Sequence, residues 1–314
     1  MVVLILCVCM VGLILFPAQG VEGALEGLRL CGGTLIPTLF PFFFLTGFLG
    51  QCLPAIGRKC GYFGISPQAF TGLIMSFVGG YPTGVVTVTS LYKSGKIKKE
   101  EAEDLIPVCN NSGPGFFIGV LGMTVMGEPR KGLWLYLIHV CSAVMILMLR
   151  GKRNGAGVLY SRTEERKSFP QLFQQVLGNS CETMIRVCGL VILFSVFQKL
   201  VIPLIPGAYR RYWGFVELSS GLGNTGPEDF VLWAVMMGWG GLCVHLQAMS
   251  IWQDAGLHIQ GYFAVKAFHG ILSGVMAVAV CHRKWVILPI LIGSSVVFME
   301  IRKKWGSQKQ NLAV

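Results

Sequence analysis

The sequence predicts an all-α polytopic membrane protein, built from two pseudo-repeated halves with broken or re-entrant helices, and three observations predict it. Hydrophobic residues make up 53% of the 314 positions and charged residues only 13%, about half of the roughly 25% that a soluble surface carries. Stretches such as 2–16 and 133–149 are almost unbroken apolar, which fits helical spans and not the ten-residue alternation of a β-barrel. Apolar segments interrupted by glycine and proline also recur at corresponding places in the two halves. Composition therefore argues against a soluble enzyme fold.

The net charge of +11 does not point to nucleic acid. The 26 Lys and Arg fall mostly in short blocks beside apolar runs, as juxtamembrane flanks do, so the expected partner is the lipid bilayer. The 11 cysteines are scattered through apolar runs with no CxxC pair. They read as small apolar side chains of a reducing compartment, not as a disulfide or metal framework.

Taken in order, the run at 2–16 reads as a retained first helix, because no basic residue precedes it to make a signal peptide. Ala24, Leu25, Leu28 and Leu30 form a stripe opposite Glu22, Glu26 and Arg29, which predicts an interfacial segment before Pro37. The chain then enters the membrane over 35–53. After Arg58 and Lys59, Ser66-Pro67 starts another helix. Gly79, Gly80, Tyr81, Pro82, Thr83 and Gly84 interrupt it midway, with enough Gly and Pro to break a helix at membrane depth. Such a break survives only where protein or a water-filled cavity covers it.

A polar run at 93–104 leads to a second break, Asn110-Asn111-Ser112-Gly113-Pro114-Gly115, between two pieces each too short to span about 30 Å. A hairpin that enters and turns back is expected there. A span over 133–149 follows, then six Lys or Arg within 150–167 mark a glycine-rich cytoplasmic linker. Another interfacial helix is expected over 169–178 and a span over 181–205. A polar excursion covers 210–228, and the apolar 230–252 is interrupted at Gly238-Trp239-Gly240-Gly241. Helices over 262–280 and 285–299 close the chain. The domains are thus 1–149, a linker at 150–180, and 181–314.

The interrupted segments overlay. Gly79-Gly80 lies 240 − 79 = 161 residues before Gly240-Gly241, and Met75 with Met236 and Gly95 with Gly256 share that spacing. Paired, Gly/Pro-interrupted apolar segments point to a transporter's binding site, because a broken helix leaves N–H and C=O groups free for a ligand. The alternative is that the glycines serve tight helix packing.

Phe16-Pro17, Ala24-Leu25-Glu26-Gly27-Leu28, Pro37-Thr38-Leu39-Phe40-Pro41-Phe42, Gly80-Tyr81-Pro82-Thr83-Gly84, Leu91-Tyr92-Lys93-Ser94-Gly95, Glu100-Glu101-Ala102-Glu103 and Cys109-Asn110-Asn111-Ser112-Gly113-Pro114 resemble the YlbJ-type sporulation integral membrane proteins. That family belongs to the wider nucleoside-recognition (Gate) domain membrane proteins. The resemblance covers nearly the whole chain and is most specific in the GYPTG and CNNSGP stretches. It implies a multi-pass protein of the bacterial inner or forespore membrane, associated with moving dipicolinate, and kinship with transporter gate domains. A planar dianion would suit half-helix N-termini at Gly84 and Gly115, with donors from Thr83, Asn110, Asn111 and Ser112.

The substrate-binding candidates are Gly80, Tyr81, Pro82, Thr83, Gly84, Asn110, Asn111, Ser112, Gly113, Gly240, Gly241, His245 and Gln247. Glu182 and Arg186, four apart, read as an interfacial ion pair or as an anion site. His139, Lys266 and His269 lie deep in apolar segments, Lys266 and His269 on one helix face, as proton-coupling or packing groups. No catalytic constellation, Walker sequence or metal-spaced cluster appears, so neither enzyme activity nor a cofactor is expected. The expected function is a transporter or facilitative channel for a small anion. The alternatives are a non-conducting scaffold of spore formation working with other sporulation membrane proteins, and a nucleoside transporter-like permease.

Overall fold

The computed structural model describes residues 10–52, 65–150 and 168–282. The linker over 151–167, the basic turn at Arg58-Lys59 and the expected closing helix over 285–299 lie outside them, as does most of the apolar run at 2–16. Among the described residues every regular element is helical. Helix α1 (Pro17–Leu30) passes through a π-helical stretch, Cys31–Leu35, into α2 (Ile36–Cys52). Then come α3 (Pro67–Gly79), α4 (Thr83–Lys93), α5 (Lys99–Cys109), the π-helical Gly115–Val125 and α6 (Pro129–Arg150). The second half holds α7 (Phe169–Val201), a set of short 3-10 turns from Ile202 to Asp229, α8 (Phe230–Trp239), α9 (Leu242–Gln253) and α10 (Tyr262–Cys281).

Among the described residues five stretches are long and apolar enough to cross a membrane: Pro17–Phe48, Pro129–Arg150, Phe169–Leu204, Pro227–Gln253 and Tyr262–Cys281. Large apolar side chains such as Ile14, Ile185, Ile271 and Val275 face outward, where lipid replaces water as the solvent. The chain is therefore a multi-pass α-helical membrane protein.

Three expectations are corrected. The segment before Pro37 is not a separate interfacial helix, because α1 and α2 form one rod. The π-helical stretch widens the helix by a residue just where Pro37 withholds its N–H, so the proline bends the rod without ending it. Likewise 169–178 and 181–205 are one helix of 33 residues. Ser180 sends its hydroxyl back to the Val176 carbonyl at 2.8 Å, so the polar Gly178-Asn179-Ser180 stretch stays helical. The second break is not a hairpin. Its arms do not pack side by side: α5 lies against α3 and α4, and Gly115–Val125 lies against α6.

The helix starts follow local chemistry. Ser66 caps α3 by accepting the Ala69 N–H at 3.2 Å, and its own N–H goes to Glu101 Oε1 at 2.6 Å. Glu103 accepts the His258 N–H at 3.0 Å, and Arg150 pairs with Asp104 at 3.5 Å. Much of the acidic run at 100–104 is thus engaged within the fold. An outer pair, α1 and α7, packs through the glycine face Gly20, Gly23 and Gly27 of α1. The inner bundle of α3 to α6 and α8 to α10 holds most of the buried polar groups.

Candidate functional site

Three helix interruptions meet in the inner bundle. The first, at Gly80-Tyr81-Pro82, has Gly80 at φ 72° and a cis Tyr81–Pro82 bond. The second is Asn110-Asn111-Ser112-Gly113, and the third is Gly240-Gly241, both at positive φ. The first and second touch backbone to backbone: a Cβ on Gly80 would stand 2.6 Å from the Gly113 nitrogen. Only glycine satisfies both the left-handed φ and that approach. The first also reaches the third, since the Tyr81 hydroxyl lies 3.4 Å from the Met237 carbonyl and borders Gly240.

Around the second and third breaks runs a buried hydrogen-bonded chain. Lys266, fully buried in α10, donates its Nζ to the Asn110 carbonyl at 2.8 Å and reaches His269 Nδ1 at 3.3 Å. His269 Nε2 donates to the His139 carbonyl at 3.0 Å. With its proton on Nε2, the Nδ1 of His269 is an acceptor, which fixes Lys266 as the donor of that pair. Asn110 Nδ2 donates to the Tyr262 hydroxyl at 2.5 Å, and that hydroxyl lies 2.9 Å from His245 Nδ1. Among the described residues no carboxylate pairs with Lys266. α10 comes this close because it crosses α8 at Gly238 and Gly270, where a Cβ on Gly238 would stand 2.7 Å from the Gly270 Cα.

A cavity of about 60 Å³ opens beside the first two breaks, lined by Gly80, Tyr81, Ser112 and Gly113 together with Phe42 and Phe43 of α2. That is room for a few water molecules, each needing about 10–15 Å³ on this measure. Its floor comes from the turn Glu217-Leu218-Ser219. Burial pushes the Glu217 carboxyl up from the usual carboxylate range, and the N–H groups of Ser219 and Ser220 pull it back only in part. The same segment caps the third break: Val216 accepts the Cys243 N–H at 2.9 Å, and Phe215 accepts the Trp239 indole at 3.1 Å.

The expected residues are not all gathered there. Gly80, Tyr81, Ser112 and Gly113 line the cavity; Asn111 turns away to Val108 and Ser76, and Asn110 and His245 face Tyr262. Pro82 and Gly84 are buried, with Gly84 against Cys109 and Ser76. Gly241 packs on Leu218, Thr83 packs by Gly79, and neither Thr83 nor Gln247 reaches the cavity. Glu182 and Arg186 form an exposed pair at 2.6 Å, remote from the breaks in α7. Sequence reasoning missed Glu217 and Tyr262. The signal for Glu217 was a lone acid in an aromatic-rich stretch, between Phe215 and Leu218.

No family model matches the chain, and no solved structure matches it. A curated relative does: Sporulation integral membrane protein YlbJ of Bacillus subtilis (strain 168), 22% identical over 316 aligned positions, covering 82% of this chain and 77% of that protein. The Gate-domain kinship is not among these matches. The spans and the convergent helix breaks make the chain an integral, multi-pass α-helical membrane protein, and its sequence is similar to the sporulation integral membrane protein YlbJ.

Proposed function

We propose that the chain is a transporter or facilitative channel for a small anionic metabolite, working in spore formation as the name of its relative implies, with dipicolinate as the substrate that the family resemblance favours. The observation that carries this reading is the meeting of three interrupted helices, with Lys266, a buried lysine that has no carboxylate partner among the described residues, beside the second and third. Broken helices at membrane depth are found where they line a ligand path, and intramembrane ionisable groups mark such paths. With Glu217 pushed towards its neutral form, Lys266 and the half-helix N-terminus at Gly115 are the groups that favour an anion.

The cavity is one part of the path, and widening it requires the Gly80–Gly113 contact to part. The two halves, each with a broken helix pair ending in a positive-φ glycine at Gly95 or Gly256, are proposed as an internal repeat that rocks about this contact. Internal engagement of the acidic run at 100–104 leaves less surface for a scaffold role. The activity is transport and not catalysis.

The test is uptake of labelled dipicolinate into proteoliposomes, with other small anions and nucleosides in parallel. Native protein should give saturable uptake that Lys266→Met abolishes at equal incorporation. Uptake no greater than in empty liposomes for every solute would overturn the reading.

A further inference from the structure

The cavity holds an acidic group that an anion path alone does not use. Glu217 is 3% exposed and is its carboxylate. Two backbone N–H groups fix the plane of that carboxylate, from Ser219 to Oε1 at 2.9 Å and from Ser220 to Oε2. The Ser219 and Ser220 hydroxyls also bond the carboxylate, so an ion would take the place of a hydroxyl proton on the cavity side.

The rest of the lining is rich in unspent oxygen. At the end of α3 the Gly80 carbonyl is taken by the Thr83 N–H and the Phe77 carbonyl by the Tyr136 hydroxyl. The carbonyls of Val78 and Gly79, which belong to cavity-lining residues, accept no hydrogen bond among the described residues. Pro82 explains part of this, because it has no N–H to offer four residues on from Val78. The Ser112 hydroxyl, on a residue 2% exposed, likewise makes no hydrogen bond there. Buried polar groups without partners are costly. A donor set of one carboxylate, one hydroxyl and free carbonyls is the hard-oxygen chemistry of a cation site, and carbonyls of unwound helices are its usual source in transporters.

We propose that this cavity binds a sodium-sized monovalent cation, held by the Glu217 carboxylate, the Ser112 hydroxyl and the free carbonyls of Val78 and Gly79. Charge sets the valence: one carboxylate neutralises one positive charge, whereas a divalent ion would leave a net charge buried in a low-dielectric site. The volume of about 60 Å³ admits an ion with its remaining waters. The cation site stands on this geometry; its use rests on the transport reading above. A bound cation cancels the Glu217 carboxylate and so removes its repulsion of an anion entering beside the breaks.

The experiment follows thermal unfolding of the full chain in detergent, in sodium chloride against choline chloride at equal ionic strength and pH. A ligand that binds only the native state raises the midpoint with its concentration. Sodium should raise it saturably and choline should not. Glu217→Gln should lose the sodium effect, and Ser112→Ala, which keeps the carboxylate and the turn, should shift the half-saturating sodium several-fold upward. Equal midpoints in sodium and choline would sink the proposal, as would an unchanged sodium effect in both variants. Stabilisation by acid alone would also overturn it and make Glu217 a proton site. Sodium binding with no uptake of any solute would defeat the transport reading and leave the cation site standing.

Discussion

Lys266 and Asn110 are 156 residues apart in sequence and joined by a 2.8 Å hydrogen bond from the lysine ammonium to the asparagine carbonyl. That carbonyl is free because α5 ends at Cys109, so the bond fastens α10 to the second helix break. Replacing Lys266 by methionine removes the charge and leaves one carbonyl unpaired, at a cost of about 1–3 kcal/mol, partly offset because no ammonium is then buried. The expected outcome is a folded protein with a modestly lower unfolding midpoint and at least a tenfold loss of uptake, about 1.4 kcal/mol in transport terms. Parallel thermal and uptake measurements check it.

Gly80→Ala should cost far more than Gly95→Ala. Both glycines have positive φ, 72° and 69°, but an added Cβ at Gly80 meets the Gly113 backbone at 2.6 Å whereas nothing lies within 4 Å at Gly95. Gly95→Ala then carries only the left-handed penalty of about 1–2 kcal/mol. Gly80→Ala adds a clash that backbone alone can relieve, and it should fail to give a monodisperse protein in detergent or unfold many degrees lower.

Glu217 makes stability pH-dependent. Its folded-state value is raised above its unfolded one, so the native state holds the proton more tightly and stability falls as pH rises from the unfolded value through the folded value. Without sodium, the unfolding midpoint should decline across that window and level off above it. Glu217→Gln should flatten the decline, with the neighbouring thiols of Cys31 and Cys243 left in place as titratable groups.

Tyr81→Phe should separate stability from function. The hydroxyl is 3.4 Å from the Met237 carbonyl, a long bond whose loss should cost less than about 1 kcal/mol. It is nevertheless the side-chain link from the first break to the third. An uptake rate altered several-fold at a nearly unchanged unfolding midpoint is the expected result; equal changes in both would make Tyr81 a packing residue only.

The breaks were legible because glycine and proline act on the backbone where they stand: 80–82, 110–113 and 240–241 are interrupted as composition requires. Continuity was less legible. Pro37 and the Gly178-Asn179-Ser180 stretch read as stops, yet a π-helical stretch absorbs the first and a hydroxyl back-bond satisfies the second. The hairpin expected at 110–115 failed for a tertiary reason, since the arms find better partners in α3, α4 and α6 than in each other. Of the site, Lys266 and His269 could be placed on one face by spacing alone, but no local pattern shows that the face meets Asn110. Glu217 was hidden in a polar excursion whose fold into the bundle depends on N–H groups beside the third break donating to its carbonyls.

The unbroken length of α7 has a consequence for the lipid around it. A helix of 33 residues is about 50 Å long at 1.5 Å per residue, while a bilayer core of about 30 Å takes up roughly 20 residues. Some of its turns therefore stand in the headgroup layer even when the helix leans, and a thicker or thinner bilayer would draw them in or push them out. Because α7 carries α1 and α2 on its flank, and α2 forms one wall of the cavity through Phe42 and Phe43, a change of bilayer thickness that tilts α7 would carry that wall with it.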